Sequence, residues 1–297
     1  MKIDTHLNIL ISYAYMTNTL LCNRVRKIVN ARKANIMIDS GAFTKVNAKG
    51  EFKHINLQDY CRFLHKYGDM AEKYVMLDVV GNAQLTKQNY LAMVKDGLNP
   101  MFVVTMYDND FDFISDAIKK NPNICVAGGA TTKSTWMQKR YQDIFRLSNK
   151  KALIHGLAYV TYPKMMQLPL SSVDSSSWKA ASLRFGALQY FNKGLKSVHY
   201  KNVLQKKSKL SLEQQAVLRN LKITPSMFCN IEYHKGNYSM EALAGLQANI
   251  MLQKVCKRNN LNYFLAASNL VDIEKILYVN DNFNDLSYEK FRKEFAK

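Results

Sequence analysis

Two acidic stretches contain the residue types that nucleophilic and acid–base chemistry requires. In residues 38–43 (IDSGAF), Asp39 ends an apolar run and is followed by small residues, and in residues 173–178 (VDSSSW) Asp174 has a similar setting. A carboxylate at the mouth of a buried strand could act as a nucleophile, an acid or a base. Taken alone, each stretch also fits the capped start of a helix, where Asp and Ser are favoured.

Three other positions could bind a planar ligand. Asp78 follows an apolar run, and its carboxylate could accept two side-by-side N–H donors from a heterocyclic base. Gly128-Gly129 would let the backbone approach such a ligand closely, although a glycine pair is more often a turn. His155, followed by glycine, could stack on the ligand or hydrogen-bond to it, although a lone histidine after a strand is more often structural.

The elements that must position these residues form a repeating pattern of strands and helices. Apolar, β-rich runs alternate with amphipathic stretches such as 57–67 and 86–96, at intervals of roughly 25 to 35 residues. Such alternation predicts a parallel α/β sheet, and about eight strands predict a closed (β/α)8 barrel of the TIM type. The predicted strands are residues 8–15, 35–38, 73–77, 101–105, 124–127, 152–154, 168–173 and 183–188.

The candidate residues share one feature in this fold, because each lies at the carboxyl end of a predicted strand. In (β/α)8 barrels, the chemistry takes place where the strands end and the following loops begin. We therefore expect a single site that contains Asp39, Asp78, the glycine pair at 128–129, His155 and Asp174.

The strand–helix pattern loosens after Phe191. Residues 193–209 are rich in lysine and predict an exposed basic hairpin or loop. Helices are predicted beyond it at residues 240–257, 269–278 and 288–295. The predicted organisation is one barrel domain over residues 1–297, with 190–240 as a basic insertion and 240–297 as closing C-terminal helices.

The composition favours a polyanionic partner. Lys and Arg total 42 against 23 Asp and Glu, which gives a formal net charge of +19. Because such an imbalance costs self-repulsion, it usually serves binding to a polyanion, and nucleic acid is the expected partner. A chain from a lysine-rich, AT-biased genome would carry the same charge without that purpose. The basic residues expected to contact nucleic acid are Lys179, Arg184, Lys193, Lys196, Lys206 and Lys207.

Several features of the sequence indicate a soluble cytoplasmic protein without a cofactor. No apolar run approaches the ~20 residues of a membrane span, and apolar residues 7–16 are interpreted as a first strand rather than a signal peptide. The five cysteines include no CxxC pair, which favours a reducing compartment. The sequence has no P-loop, no dinucleotide-binding glycine pattern and no His/Cys cluster with metal-ligand spacing.

The ordered set of motifs resembles the tRNA-guanine transglycosylases over most of the chain. Residues 39–43 (DSGAF) resemble the Asp-Ser-Gly-Gly-Phe motif of that family. Gly128-Gly129 resembles the family's Gly-Gly turn, and residues 154–156 lie where the family has Leu-Met-Gly. Asp174 lies where the family has its nucleophilic aspartate, and residues 237–239 with 269–270 resemble its C-terminal segment. Each motif is short, so their common order carries the resemblance.

The resemblance implies an enzyme, a pentosyltransferase that exchanges a base at a glycosidic bond. Asp174 would attack C1′ of a guanosine and displace guanine, and Asp39 would be the general acid/base for the leaving and incoming bases. Asp78 would read the Watson–Crick edge of the base. The other base-binding positions implied by the resemblance are Ser40, Gly41, Phe43, Gly128, Gly129, His155 at the stacking position, and Gly156.

Two departures from that family change the expected substrate. The positions of its zinc-binding CxCxxC segment and later histidine hold Asn230, Glu232, Lys235 and Ser268, so we expect no zinc. Its Pro-Thr-Arg after the nucleophile is missing around residue 178. A compact, basic chain without zinc is similar to the phage-type relatives that insert 7-deazaguanines into DNA. We therefore expect DNA rather than tRNA as the partner and a preQ0-like base as the small-molecule substrate.

Three alternatives stay open. The chain could exchange guanine in tRNA, it could be a non-catalytic barrel subunit that binds nucleic acid, or it could be a glycoside or nucleoside hydrolase that uses the same acids with water. The presence of both Asp39 and Asp174 favours an active enzyme over a binding subunit. The incoming base, the recognised sequence context and the formation of a homo-oligomer are undecided. A phage-encoded enzyme would act in the host cytoplasm.

Overall fold

Two compact units make up the chain. The computed structural model describes residues 7–16, 18–32, 34–44, 54–105, 108–127, 134–180, 186–205, 209–234 and 236–296. The first unit consists of Met1–Ser175 with Asn259–Asp272, and the second of Ser176–Arg258 with Ile273–Lys297.

Eight parallel strands of the first unit form one sheet, and this confirms the predicted (β/α)8 TIM-like fold. The strands are β1 (Asn8–Ser12), β2 (Asn35–Asp39), β3 (Lys73–Tyr74), β4 (Phe102–Val104), β5 (Asn123–Val126), β6 (Leu153–Gly156), β7 (Leu170–Ser175) and β10 (Asn262–Ala267). The first seven coincide with predicted strands. Their apolar runs are nearly continuous because the strands of a covered parallel sheet are buried on both faces, as at Ile9, Ile38 and Val103.

The sheet curls until its two edge strands meet. The strand order is β3-β2-β1-β10-β7-β6-β5-β4, so β3 and β4 are the edges. A parallel bridge joins Val75 to Met101 just beyond these strands. The Met101 N–H donates to the Tyr74 carbonyl at 2.9 Å, and the Met76 N–H donates to the Met101 carbonyl at 3.1 Å. These bonds close the barrel, so the carboxyl ends of all eight strands share one rim.

Helices alternate with the strands as the amphipathic pattern predicts. Those that follow β1 to β5 are α1 (Thr19–Arg32), α2 (Leu57–Tyr67), α3 (Ala83–Lys95), α4 (Phe111–Lys120) and α5 (Ser134–Leu147). The predicted apolar face of α2 is buried at Tyr60, Cys61 and Leu64. Asn56, Asn82 and Asp110 cap α2, α3 and α4 through their side chains. None of the helices that the structure describes combines the length and apolarity of a membrane span.

The eighth barrel strand was predicted in the wrong place. The predicted strand at 183–188 overlaps β8 (Ala187–Phe191), which pairs antiparallel with β9 (Leu195–His199) in a separate two-stranded sheet. The barrel is completed instead by β10, which lies between β1 and β7. This strand falls in the segment 240–297 that was predicted to contain only helices. Its apolar run (NYFLAA) is buried by pairing with strands far away in the sequence.

The second unit combines the β8–β9 hairpin with helices. The helices after β7 are α6 (Tyr200–Leu204), α7 (Leu212–Asn220), α8 (Pro225–Cys229), α9 (Met240–Arg258), α10 (Leu270–Asp281) and α11 (Tyr288–Phe295). The predicted long helix at 240–257 is confirmed as α9, which buries Leu243, Leu246 and Ile250. Within this unit the buried Asn249 amide donates to Gln189 Oε1 at 2.6 Å and so ties α9 to β8.

Candidate active site

Three carboxylates stand at the carboxyl ends of barrel strands. Asp39 is the last residue of β2, Asp78 follows β3 in the chain, and Asp174 is the penultimate residue of β7. Because Asp78 and Asp174 both raise the pKa of Asp39 through their charges, the three groups lie within electrostatic range of one another. The structure therefore brings together the two acids that were predicted to be catalytic and the third that was predicted to bind a base.

The pKa of Asp39 is raised close to neutral pH. Burial is the largest cause, and repulsion from Asp78 and Asp174 adds to it, so the pKa of Asp39 rises from 3.8 to about 7. Hydrogen bonds from the backbone of Ser40 and Gly41 oppose this rise, and the Gly41 N–H donates to Asp39 Oδ2 at 2.9 Å. A carboxyl group with a pKa near 7 can both give and take a proton at neutral pH, which is what a general acid/base requires.

Asp78 is a buried acid whose pKa is also shifted. Burial raises its pKa from 3.8 to about 6, while its own backbone N–H and the Ser40 hydroxyl lower it by hydrogen bonding. Both carboxyl groups therefore keep their protons to a higher pH than an exposed aspartate does. When ionised, Asp78 can accept hydrogen bonds, and when protonated, Asp39 can transfer a proton.

Asp174 is oriented by two donors on one of its oxygens. The Ala158 N–H donates to Asp174 Oδ1 at 2.8 Å, and His155 Nε2 lies 3.2 Å from the same oxygen. The other ring nitrogen, Nδ1, lies 2.8 Å from the Ser172 hydroxyl. Since a carboxylate only accepts, Nε2 carries the proton and the Ser172 hydroxyl can donate to Nδ1. No residue that the structure describes donates to Oδ2, so this oxygen is available for chemistry.

His155 has a different position from the one implied by the resemblance. A ring that stacks on a base needs an exposed face, and His155 is 0% exposed. Both of its nitrogens are engaged, and its ring contacts Phe264 edge-on with the centroids 6.1 Å apart. The predicted stacking contact therefore does not match this placement, and His155 orients Asp174 instead.

The loop after β2 contains buried residues and one exposed aromatic ring. Ser40 is fully buried, so it contacts Asp78 rather than the surface that a ligand would reach. Gly41 has a φ of +83°, and a Cβ there would lie 2.4 Å from Ala14 Cβ and 2.5 Å from Ser12 Oγ. Phe43 is 49% exposed and follows Asp39 by four residues, so of the predicted residues in this loop it is the best placed to contact a ligand.

We expect Gly41→Ala to destabilise the barrel because the loop has no room for a side chain. The positive φ costs roughly 1–2 kcal/mol for a residue with a Cβ, and relieving the clash with Ala14 and Ser12 costs about 1–3 kcal/mol more. Gly81→Ala is a matched control, since Gly81 has a φ of +78° but no atom within 4 Å of an added Cβ. Urea unfolding should show the larger loss for Gly41→Ala, and equal losses would contradict the steric argument.

Five of the predicted residues lie outside the part of the chain that the structure describes. They are Gly128, Gly129, Arg184, Lys206 and Lys207. Of the remaining basic candidates, Lys193 and Lys196 are exposed on the β8–β9 hairpin, and Lys179 is half-buried. Lys196 lies 3.9 Å from Glu213 Oε2. These three lysines belong to the second unit.

The residues that hold the catalytic acids in place were not evident from the sequence pattern. Ser172 lies two residues before Asp174 on β7, and strand periodicity would have placed both on one face. Tyr60 donates its hydroxyl to the Val75 carbonyl at 2.7 Å next to the site. Cys125 is fully buried in the barrel. Burial, together with the three nearby acids, raises the pKa of Cys125 well above its usual value, so it remains a neutral thiol.

Several positions that the resemblance aligns with zinc ligands make hydrogen bonds of their own. The Glu232 N–H donates to Asn230 Oδ1 at 3.0 Å, and Ser268 donates to Asp272 through both its N–H and its hydroxyl. Lys235 lies outside the described residues. Within the described parts of the chain, no group of three or more His, Cys, Asp or Glu side chains is arranged to hold a metal ion.

Comparisons with known proteins add one distant structural neighbour. No protein-family model and no curated protein matches the chain. A matching solved structure is the crystal structure of PbGH5A, a glycoside hydrolase family 5 enzyme from Prevotella bryantii B14. The match has a TM-score of 0.37 and 8% sequence identity, and covers 93% of this chain and 96% of that one. A similarity of this size carries no conclusion about function.

Proposed function

We propose that this protein is a nucleic-acid guanine transglycosylase that exchanges guanine in DNA for a 7-deazaguanine base. One observation carries the proposal, namely that Asp39, with a pKa of about 7, is electrostatically coupled to an Asp174 whose Oδ1 is held by His155 and Ala158. This arrangement suits an acid/base and a nucleophile that act on one bond. The order of the motifs along the chain, which resembles the tRNA-guanine transglycosylases, supports the same reaction.

In the first half of the proposed reaction, the target nucleotide leaves its stack and Asp174 Oδ2 attacks C1′ of its sugar. A bond forms between Oδ2 and C1′, and the C1′–N9 bond breaks with its electron pair going to guanine. Protonated Asp39 gives its proton to the departing guanine. The products are free guanine, an ionised Asp39 and a covalent ester between Asp174 and the sugar.

In the second half, a 7-deazaguanine base takes the place of guanine. Asp39 removes the N9 proton of the incoming base, and N9 then attacks C1′. The C1′–Oδ2 bond breaks and its electron pair returns to Asp174, so both acids recover their starting states. No hydride, metal or external oxidant is needed for this exchange.

Asp78 and Phe43 have complementary roles in the proposed base pocket. Guanine and its 7-deaza analogues present N1–H and the exocyclic amine side by side, and the ionised carboxylate of Asp78 can accept both bonds. Phe43 provides an exposed aromatic ring close to Asp39 in the chain, on which a base could stack. Substrates that lack these donors leave a buried carboxylate unpaired, and so the site disfavours them.

The net charge favours a nucleic-acid polymer, and the missing anticodon-recognition motif favours DNA over tRNA. A charge of +19 attracts a polyanion regardless of its sequence. The Pro-Thr-Arg that follows the nucleophile in the tRNA enzymes has no counterpart near Trp178. The exposed Lys193 and Lys196 are candidate phosphate contacts.

Incubation with labelled guanine tests the proposal. The protein is mixed with double-stranded DNA, single-stranded DNA or tRNA, and the label retained in each polymer is counted. We expect label in DNA and none in tRNA. Label in tRNA alone would support the tRNA alternative. Release of unlabelled guanine from the polymer without incorporation of label would support a hydrolase. If neither incorporation nor release is seen, the binding-subunit alternative is supported.

A further inference from the structure

A cavity of about 330 Å³ lies in the second unit, and the proposed chemistry does not use it. Its walls come from β8, α7, α9 and the turn after α10, so the cavity is complete within this unit. Its volume falls within the range of small-molecule pockets, about 300–1,000 Å³. No charged side chain is among the residues that line it.

Aromatic rings and a thioether form the apolar part of the cavity wall. Tyr190 and Phe191 end β8, Met251 lies on α9, and Phe283 lies in the turn after α10. Phe191 and Phe283 are half-buried and Met251 is 40% exposed, so a ligand that enters the cavity can reach them. Flat rings suit a planar ligand, because stacking on an aromatic face requires only a π-surface on the ligand.

Three amide side chains form the polar part of the wall. Asn220 and Asn284 are exposed and Gln247 is half-buried, and all three line the cavity. Within the described part of the chain, these amides have no hydrogen-bond partner. Each amide offers two donors and an acceptor, which is the combination that pairs with the edge of a nucleobase. The cavity therefore offers both a stacking surface and hydrogen-bonding groups to the same ligand.

A lysine without a counterion lies beside the cavity. The Lys254 ammonium is 3.5 Å from the centroid of the Phe283 ring. It makes no ion pair with any residue that the structure describes. Burial is the main cause that lowers the pKa of Lys254, and the charge of Arg258 adds to it. An anion at this position would relieve both causes, so the geometry favours a negatively charged ligand.

The other charges around the cavity also favour a polyanion. Lys193 is exposed in the turn between β8 and β9. Asp285, the acid that follows the turn after α10, is neutralised by ion pairs with Lys222 at 2.8 Å and Lys290 at 2.5 Å. The cavity wall itself contains no carboxylate that would repel a phosphate.

We infer that this cavity binds an unpaired base of single-stranded DNA, with the neighbouring phosphates on Lys254 and Lys193. The rings hold the face of the base, the amides hydrogen-bond to its edge, and the lysines neutralise the backbone. A paired base cannot enter, because its partner occupies its edge and its neighbours occupy both faces. The inference rests on the proposed function for the choice of DNA, and adds a second site whose base is not exchanged.

The test compares the affinities of single-stranded and double-stranded DNA by fluorescence anisotropy. The probes are a labelled thymine-only oligonucleotide and a dA·dT duplex of the same length. Phe283→Leu removes an aromatic face and keeps an apolar side chain, so we expect the Kd for the single strand to rise at least about fivefold. Asn220→Ala combined with Asn284→Ala removes two exposed amides that the fold does not use, and should also weaken single-strand binding. The Kd for the duplex should not change in either variant, because no charge is altered.

Phe295→Leu is the matched control, since Phe295 is half-buried in the same unit but packs on Tyr278 and Phe291 rather than lining the cavity. It should bind both probes as the wild type does. The probes contain no guanine, so the measurement stays readable even if guanine exchange is not found. An unchanged Kd for the single strand, or an equal loss for both probes, would overturn the inference. Either result is expected if the cavity takes an apolar side chain of a partner protein instead.

Discussion

Asp174→Asn is expected to abolish guanine exchange, with a loss on the order of 10⁴-fold or more. The amide oxygen of Asn can still accept the hydrogen bonds from Ala158 and His155, so the fold is retained. The amide cannot attack C1′ or leave as a carboxylate. Removing the nucleophile therefore removes both halves of the reaction rather than slowing one of them.

Two measurements check this result. Incorporation of labelled guanine into DNA reports turnover, and intact-protein mass spectrometry after acid quenching reports the covalent enzyme–DNA ester. Asp110→Asn is the matched control, since Asp110 is an exposed helix cap and Asn caps helices equally well. Persistent exchange or a persistent adduct in Asp174→Asn would show that another residue is the nucleophile.

The second large effect is expected for Asp39→Asn, which should lose exchange activity and become more stable than the wild type as the pH rises from 5 to 8. General acid/base groups typically contribute 10²- to 10⁴-fold to a rate. The wild-type pH profile of kcat/KM should show an inflection near 7 that is absent from the variant, because the pKa of Asp39 is raised to about 7. An unchanged profile would remove Asp39 from the proton transfer.

The stability change follows from the direction of the pKa shift. The pKa of Asp39 is higher in the folded protein than its usual 3.8, so the folded state binds the proton more tightly. This contribution to stability is fully present below pH 3.8 and is lost as the pH rises through 7. Each pKa unit is worth about 1.4 kcal/mol. Asn has no such dependence, so the variant should gain a few kcal/mol relative to wild type between pH 5 and pH 8.

Asp110→Asn again provides the control, with a different pH dependence. Hydrogen bonds with Phe113 N–H and with Lys87 lower the pKa of Asp110. Its contribution is therefore present above its usual pKa and is lost only in acid, so the difference from wild type should be flat between pH 5 and pH 8. Thermal unfolding at the two pH values measures both variants. A flat difference for Asp39→Asn as well would mean that Asp39 is not held in an unfavourable charged state.

Most of the barrel could be predicted from the sequence, because seven of its strands are marked by apolar runs that can be recognised locally. Seven apolar runs separated by amphipathic helices predicted seven strands at the right places, and an acid or a glycine marked the carboxyl end of several of them. The eighth strand was not predictable in this way. Residues 183–188 and 262–267 have similar apolar character, and only the pairing of β10 with β1 and β7 distinguishes them. The turn at 192–194 (NKG) is a local hairpin signal that favours the antiparallel pairing of β8 with β9.

The arrangement within the site depended on strand register. His155 pairs with Ser172 across β6 and β7, and this register turns its ring toward Asp174 instead of toward a ligand. The sequence does not indicate which way the His155 ring points, because both orientations are compatible with a buried strand end.

The sequence by itself determined the type of fold and the presence of three acids at strand ends, because strand formation follows from apolar runs and from the small residues that end them. Only the tertiary structure decided that Asp39 has a pKa near 7 while Asp78 has one near 6. The physical reason is that burial and charge repulsion depend on distances in space. Those distances exist only after the barrel has closed and brought β2, β3 and β7 to one rim.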